Sequence, residues 1–190
     1  MSSEAYKDDY IIYECYDGKL VAMSPRPLTY HNNVAKHLYD IFFLKLMDKK
    51  CEPYSDGFSV HLFNNDDDYV VPDFFVLCDK GKERVNGIYG APDLVAEVLS
   101  PSTLKRDRVV KMELYAKAGV KEYLILSPDA KSIEQYVLKG NKFELKEAYT
   151  LLSDIEIKML SEDELKEYKT EFSSEVFPNI AISLEYVFNK

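Results

Sequence analysis

The segment DLVAEVLS, residues 93–100, constrains this chain more than any other. Strand alternation puts Val95, Glu97 and Leu99 on one face and Leu94, Ala96 and Val98 on the other, and both faces are apolar. Such a segment is a central strand. Glu97 is out of place there, because an ionised carboxylate removed from water is costly unless a cation or strong donors meet it. Backbone N–H groups at the strand end or a single Arg would satisfy it, and so would a metal ion.

A second acid bears on that choice. In VVPDFFVLC, Asp73 follows a proline and leads into another run that is apolar on both faces, with Val71, Phe75 and Leu77 on its own side. Alone, an Asp after Pro reads as a turn at the start of a strand. If the two strands are neighbours, Asp73 and Glu97 converge on one point. There Mg²⁺ could take one or two carboxylates and keep its other positions for water and substrate phosphate.

Around these strands the pattern predicts a single domain over residues 1–190, with no internal repeat, low-complexity tract or Ser/Gly-rich linker. YIIYECYDGKLVAMSP reads as an N-terminal hairpin closed by Asp17-Gly18, a dipeptide suited to the positive φ angles of a type I′ turn. Residues 29–48 set Val34, Leu38, Ile41 and Phe42 at helical spacing. GFSVHLF and YVVPDFFVLC read as strands, and DKGKERVNGIYGAP as a loop. A helix is expected from Ser100–Thr103 to Ala118-Gly119, glycine being the usual residue just past a helix end. EYLILS, SIEQYVL and FELKEAYT are three more strands, with turns at PDAK and Gly140-Asn141. Residues 153–174 are acidic and weakly helical, and the closing VFPNIAISLEYVF must dock its apolar side chains on something. Strands on both sides of two helices predict an α/β or α+β architecture with a mixed sheet.

Three further polar residues fall on faces that ought to be apolar. The helix after Glu97 has an inner stripe of Asp107, Val110, Lys111, Leu114, Tyr115 and Ala118, so Lys111 points toward the sheet or snorkels past it to water. Pairing across Asp17-Gly18 puts Glu14 on the side of Ile12, Val21 and Met23, unless that hairpin faces solvent. His31 lies one turn before Val34 and Ala35, where it caps the helix, is satisfied in the core or acts as a ligand.

These residues fall into a known pattern. Asp73 after a proline, followed by Glu97 in an apolar strand and then a helix, resembles the bipartite PD-(D/E)xK site of the restriction-endonuclease-like superfamily. YECYDGKLVAMSP, VPDFFVLC, APDLVAEVLSPST, RDRVVKMELYAKAGVKEYLILSPDAKSIEQYVL and FPNIAISLEYVF together resemble the Uma-two family, whose members are described as bacterial restriction endonucleases. The resemblance implies a mixed central sheet flanked by helices, with Asp73, Glu97 and the carbonyl of Val98 as ligands for Mg²⁺ (or Mn²⁺). It also implies Glu14 as a further acid and hydrolysis of DNA phosphodiesters as the reaction. The superfamily lysine expected two residues after Glu97 is replaced here by Leu99, and Lys111 is the candidate to supply that amine from another element. E-x-K copies at Glu144, Glu156 and Glu164 lie on surface segments and are read as solvated charges.

Composition sets limits on this reading. With 24 basic and 33 acidic residues the formal charge is -9, which disfavours broad attraction to nucleic acid or anionic membrane. Contacts to DNA must therefore be local: Lys105, Arg106 and Arg108 at the helix start, Lys80, Lys82 and Arg84 in the preceding loop, and His31 near the acids. No segment approaches the ~18 apolar residues of a membrane span, and MSSEAYKDDY lacks signal-peptide features, so a cytoplasmic protein is expected. Cys15, Cys51 and Cys78 form no CxxC pair and are expected to be small buried hydrophobes rather than a zinc site or a disulfide. A homodimer is compatible with restriction-type chemistry. Two other functions stay open: a nuclease-fold binding or assembly module that does not cut, and metal-dependent chemistry on a phosphorylated small molecule.

Overall fold

The computed structural model describes residues 13–16, 18–22 and 29–190. The N-terminal hairpin pairs β1 (Tyr13–Tyr16) with β2 (Lys19–Ala22), placing Glu14 opposite Val21 as the turn position requires. Ile12, Asp17 and Met23 lie outside the described residues. Helix α1 (Thr29–Leu46) follows, burying Val34, Leu38 and Phe42.

The central sheet is mixed. Its strands are β3 (Glu52–Ser55), β5 (Phe74–Leu77), β8 (Leu94–Val98), β9 (Glu122–Ser127), β10 (Ser132–Lys139) and β11 (Lys142–Thr150). They lie in the order β11-β10-β9-β8-β5-β3, with only β8 and β9 parallel. The two apolar-on-both-faces runs are thus the adjacent strands β5 and β8. Every residue of both is buried, and a fully buried Val, Leu or Phe side chain contributes roughly 1.5–3 kcal/mol.

Each face of the sheet has its own core. Phe74, Val76, Leu94, Ala96 and Val98 pack against α1 and the C-terminal unit, which is the hairpin β12 (Glu171–Ser173) with β13 (Ala181–Ser183), and α5 (Leu184–Asn189). The closing apolar residues Ile180, Ile182, Leu184 and Val187 dock there, as the sequence demands. Phe75, Val95, Leu99, Tyr123 and Ile125 pack on the other face against Tyr115, Val120 and a small sheet formed by β4 (Val60–His61), β6 (Glu83–Arg84) and β7 (Gly87–Tyr89). The segment read as a loop before Glu97 therefore contains a short hairpin, β6–β7. The strand expected over GFSVHLF shrinks to Val60–His61, with Val70 closing onto Val60 as a single bridge.

Two expectations are corrected. Cys51 and Cys78 are joined in a disulfide at the end of the β3–β5 pair, while Cys15 is free and buried. Their distance in sequence hid a pairing that strand register creates, since Glu52 lies opposite Leu77. The helix after Glu97 is also not uniform: residues Arg106–Lys111 are π-helical and only Met112–Ala118, α2, is α-helical. The wider i→i+5 turn keeps Asp107, Lys111 and Tyr115 buried but swings Val110 out of the stripe, leaving it 36% exposed. Gly119 ends the helix at φ 89°, a left-handed conformation that favours glycine.

The acidic segment forms two short helices, α3 (Asp154–Ile157) and α4 (Glu162–Glu167), each opened by a capping box, Ser153 with Glu156 and Ser161 with Glu164. Those two glutamates, copies of the loose E-x-K pattern, are capping residues. Among the described residues no helix is long and apolar enough to cross a membrane.

Candidate active site

Strand direction brings the two acids together. Because β5 and β8 are antiparallel and Phe74 lies opposite Ala96, the start of β5 adjoins the end of β8. Asp73 therefore meets the Glu97-Val98 peptide: the Val98 amide donates to Asp73 Oδ2 at 2.7 Å. From α1, His31 Nε2 donates to the Val98 carbonyl at 2.7 Å and sits 3.6 Å from Asp73 Oδ2. His31 Nδ1 is buried without a hydrogen bond among the described residues.

The helix supplies the cation. Lys111, with a side chain 1% exposed, places Nζ 2.9 Å from Glu97 Oε1, 2.7 Å from Glu14 Oε1 and 3.8 Å from Asp107 Oδ1. Glu14 reaches in from the hairpin, where its Oε1 also accepts from the Val71 amide at 3.0 Å. Arg106 Nε lies 3.8 Å from Glu14 Oε2. One turn beyond Lys111, the Tyr115 hydroxyl donates to Glu97 Oε1 at 2.5 Å. Tyr123, on β9, donates to the carbonyl of Asp107 at 3.1 Å and so pins the π-helical turn that carries Lys111.

Electrostatics follow from this burial. Loss of water pushes the Glu97 carboxyl well above its ordinary pKa; Lys111 opposes that shift, and the charges of Asp73, Asp107 and Glu14 add to it. Asp73 and Asp107 are raised by burial too, Asp73 against the pull of His31 and Lys111. Burial alone would lower the Lys111 ammonium, but Glu97, Glu14, Asp107 and Asp73 reverse the effect and hold it above the usual lysine value. Lys111 therefore keeps its proton and acts as a positive charge and hydrogen-bond donor. Tyr115 is pushed up by burial and by Glu97, so its hydroxyl keeps its proton.

Four carboxylates here face two cationic side chains, Lys111 and Arg106, a surplus that a divalent cation would balance. The oxygens divide in a consistent way. Asp73 commits Oδ2 to the protein, and Glu97 and Glu14 commit Oε1; the described hydrogen bonds reach neither Asp73 Oδ1, Glu97 Oε2 nor Glu14 Oε2. An all-oxygen donor set of this kind fits Mg²⁺ or Mn²⁺. Among the described residues no three His, Cys, Asp or Glu side chains gather closely enough to hold a metal by themselves.

Asp73, Glu97, Val98, Lys111, Glu14, His31 and Arg106 thus meet at one place. The other basic candidates do not. Arg108 is bidentate to Glu134 at 2.8 and 2.6 Å, and Arg84 lies 4.1 Å over the ring of Tyr89. Lys80 pairs with Glu52, Lys82 donates to the Ala91 carbonyl at 2.7 Å, and Lys105 is exposed at the helix start. Sequence reasoning placed Asp107 and Tyr115 on the helix stripe without assigning them to the site. The signal was their spacing of four residues on either side of Lys111.

The Uma2 family model, described as "Putative restriction endonuclease", matches residues 4–166. The chain belongs to the Uma2 family. A curated relative, "Uncharacterized protein slr1290" of Synechocystis sp. (strain ATCC 27184 / PCC 6803 / Kazusa), is 31% identical over 125 residues, which span 65% of each chain. A solved structure, that of a putative nuclease belonging to DUF820 from Anabaena variabilis ATCC 29413, superposes with a TM-score of 0.68 at 16% identity. That match covers 93% of this chain and 89% of the other, and it shows a shared fold.

Proposed function

We propose that this Uma2 protein is a Mg²⁺-dependent nuclease that hydrolyses phosphodiester bonds of DNA at a PD-(D/E)xK-type site, with Mn²⁺ able to substitute. The observation that carries the reading is the contact between Lys111 and Glu97. Leu99 stands where the superfamily motif has lysine, yet an ammonium reaches Glu97 Oε1 at 2.9 Å from the following helix.

Asp73, Glu97 and the Val98 carbonyl would hold the ion, with Glu14 as an additional acid. When bound, a divalent ion supplies Lewis-acid activation of water and charge neutralisation at the phosphate. Asp73 and His31 fix the Val98 peptide from its two sides, one through the amide and one through the carbonyl. Lys111 remains protonated and donates to the attacking water or to a phosphate oxygen as negative charge develops. Arg106, its side chain 14% exposed and beside Glu14, would contact a neighbouring phosphate. The same reading includes a cytoplasmic site of action and a homodimer that pairs two active sites across a two-fold axis, which light scattering would reveal.

A second reading, a nuclease-fold binding module that does not cut, is favoured by one observation: Lys111 is already engaged by both Glu14 and Glu97. Calorimetric titration of Mn²⁺ into the native protein and into Glu97→Gln separates the two. Binding that is lost in the variant, together with DNA cleavage abolished by Lys111→Ala, supports the nuclease. No binding by the folded native protein, and no cleavage in a broad substrate screen, leaves the module.

A further inference from the structure

Glu97 receives two donors on one oxygen, and they are not equivalent. The Lys111 ammonium is divided among Glu14 Oε1 at 2.7 Å, Glu97 Oε1 at 2.9 Å and Asp107 Oδ1 at 3.8 Å. The Tyr115 hydroxyl has one described partner, Glu97 Oε1 at 2.5 Å, and its side chain is fully buried. We propose that Tyr115 is a positioning residue of this site: it holds Oε1 of Glu97 so that Oε2 is the oxygen offered to a divalent cation. The inference rests on the metal-dependent reading above.

The physical case has three parts. A phenol donating to a carboxylate favours its ionised form and fixes its rotation, and charge-assisted bonds of this kind are about twice as strong as neutral ones. Tyr115 lies one turn past Lys111 on the same helix, so one rigid element presents both donors. Lys111, finally, is the group that must turn toward water or phosphate during hydrolysis, and Tyr115 is then the donor that stays on Glu97. With Leu99 in the strand position, the ammonium comes from the helix, and the same helix carries the hydroxyl that holds the glutamate.

The test is calorimetric titration of Mn²⁺ into the full chain as wild type, Tyr115→Phe and Tyr149→Phe, with melting temperatures measured without metal. Tyr149 is a buried tyrosine whose hydroxyl bonds Gln135 in a separate network, so it controls for loss of a buried hydroxyl. The expected result is a Kd about 10-fold weaker for Tyr115→Phe, the lower end of what an outer-shell partner of a metal ligand contributes. Tyr149→Phe should match wild type. A lowered melting temperature with wild-type Kd would assign Tyr115 to packing and overturn the proposal, as would equal weakening in both variants. Failure of the wild type itself to bind Mn²⁺ would instead overturn the metal-dependent reading, and this proposal with it. If Tyr115→Phe does not fold, 3-fluorotyrosine in place of Tyr115 keeps the size and hydroxyl while strengthening the donor; a shifted Kd supports the proposal and an unchanged one overturns it.

Discussion

Lys111 Nζ lies 2.9 Å from Glu97 Oε1 across fourteen positions of sequence, buried with it beneath the N-terminal hairpin. The ammonium is the main compensation for Glu14 and Glu97, both of which are buried to within 2%. Lys111→Met keeps much of the stem volume and deletes the charge. Breaking a buried pair in this way costs about 3–5 kcal/mol, because the carboxylates left behind lose the ammonium they share. Chemical denaturation of the variant near neutral pH checks the figure, and cleavage activity should disappear in whatever fraction remains folded.

The raised carboxyls give the native protein a pH dependence of definite sign. Glu97, Asp73 and Asp107 have folded-state pKa values above their ordinary ones, chiefly through burial. Between the ordinary and the raised values the folded protein holds more protons than the unfolded chain, so these groups make stability fall as pH rises through that interval. Lys111, raised above the ordinary lysine value, contributes stability that is fully present below that value and therefore constant over the same range. Metal-free protein should lose resistance to urea as pH rises from just above the ordinary carboxylate range. Saturating Mg²⁺ should lessen that loss, since it stabilises the ionised form by mass action.

The centre of the fold was legible because β5 and β8 carry their burial in plain sequence: both faces apolar, with an acid at the start of one and near the end of the other. Periodicity put Lys111 and Glu14 on otherwise apolar faces but left snorkelling and a solvent-facing hairpin open, and the buried contacts of the Lys111 ammonium decide both. What escaped depended on contacts that periodicity does not encode. The π-helical turn that expels Val110 is pinned by Tyr123 from another strand, and the Cys51–Cys78 pair is created by register. The basic residues could not be sorted from sequence for a related reason: a charge run does not say which members are already paired, and Arg108 is tied to Glu134 whereas Arg106 reaches Glu14.

Glu122 is a further fully buried acid, and among the described residues it pairs with no cation. Its oxygens accept from Gln135 Nε2 at 2.7 Å, Ser174 Oγ at 2.6 Å and the Val176 amide at 3.0 Å, which ties the C-terminal hairpin to β9. Glu122→Ala leaves those donors unsatisfied at about 1–3 kcal/mol each. The variant should lose about 3 kcal/mol in urea denaturation and admit protease into residues 171–189, while keeping wild-type Mn²⁺ affinity if it is assayed while folded.

The disulfide clamps the edge strand β3 to β5, closing a loop with a sequence separation of 27. Chain-entropy arguments give such a cross-link about 3.5 kcal/mol. Alkylation of the unfolded, unreduced protein should label Cys15 alone, and prior reduction should expose Cys51 and Cys78 as well. The double variant Cys51→Ser, Cys78→Ser should lose stability by about that amount without losing the site, because β3 keeps its backbone pairing to β5 through Glu52–Ser55.

Arg106 and Arg108 are two positions apart and should behave oppositely toward DNA. Arg108 spends both terminal nitrogens on Glu134, so it has little left to offer a phosphate. Arg106 has a buried Nε without a hydrogen bond among the described residues and lies beside Glu14 at the edge of the site. Arg106→Ala should weaken duplex binding uniformly across sequences and reduce the slope of log affinity against log salt by about 1, the loss of one phosphate contact. Arg108→Ala should leave affinity and slope unchanged and register only as a modest loss of stability, since its ion pair with Glu134 is partly exposed. Fluorescence anisotropy with a labelled duplex over a series of salt concentrations measures both quantities. A flat response to Arg106→Ala would move the phosphate contact elsewhere on the rim.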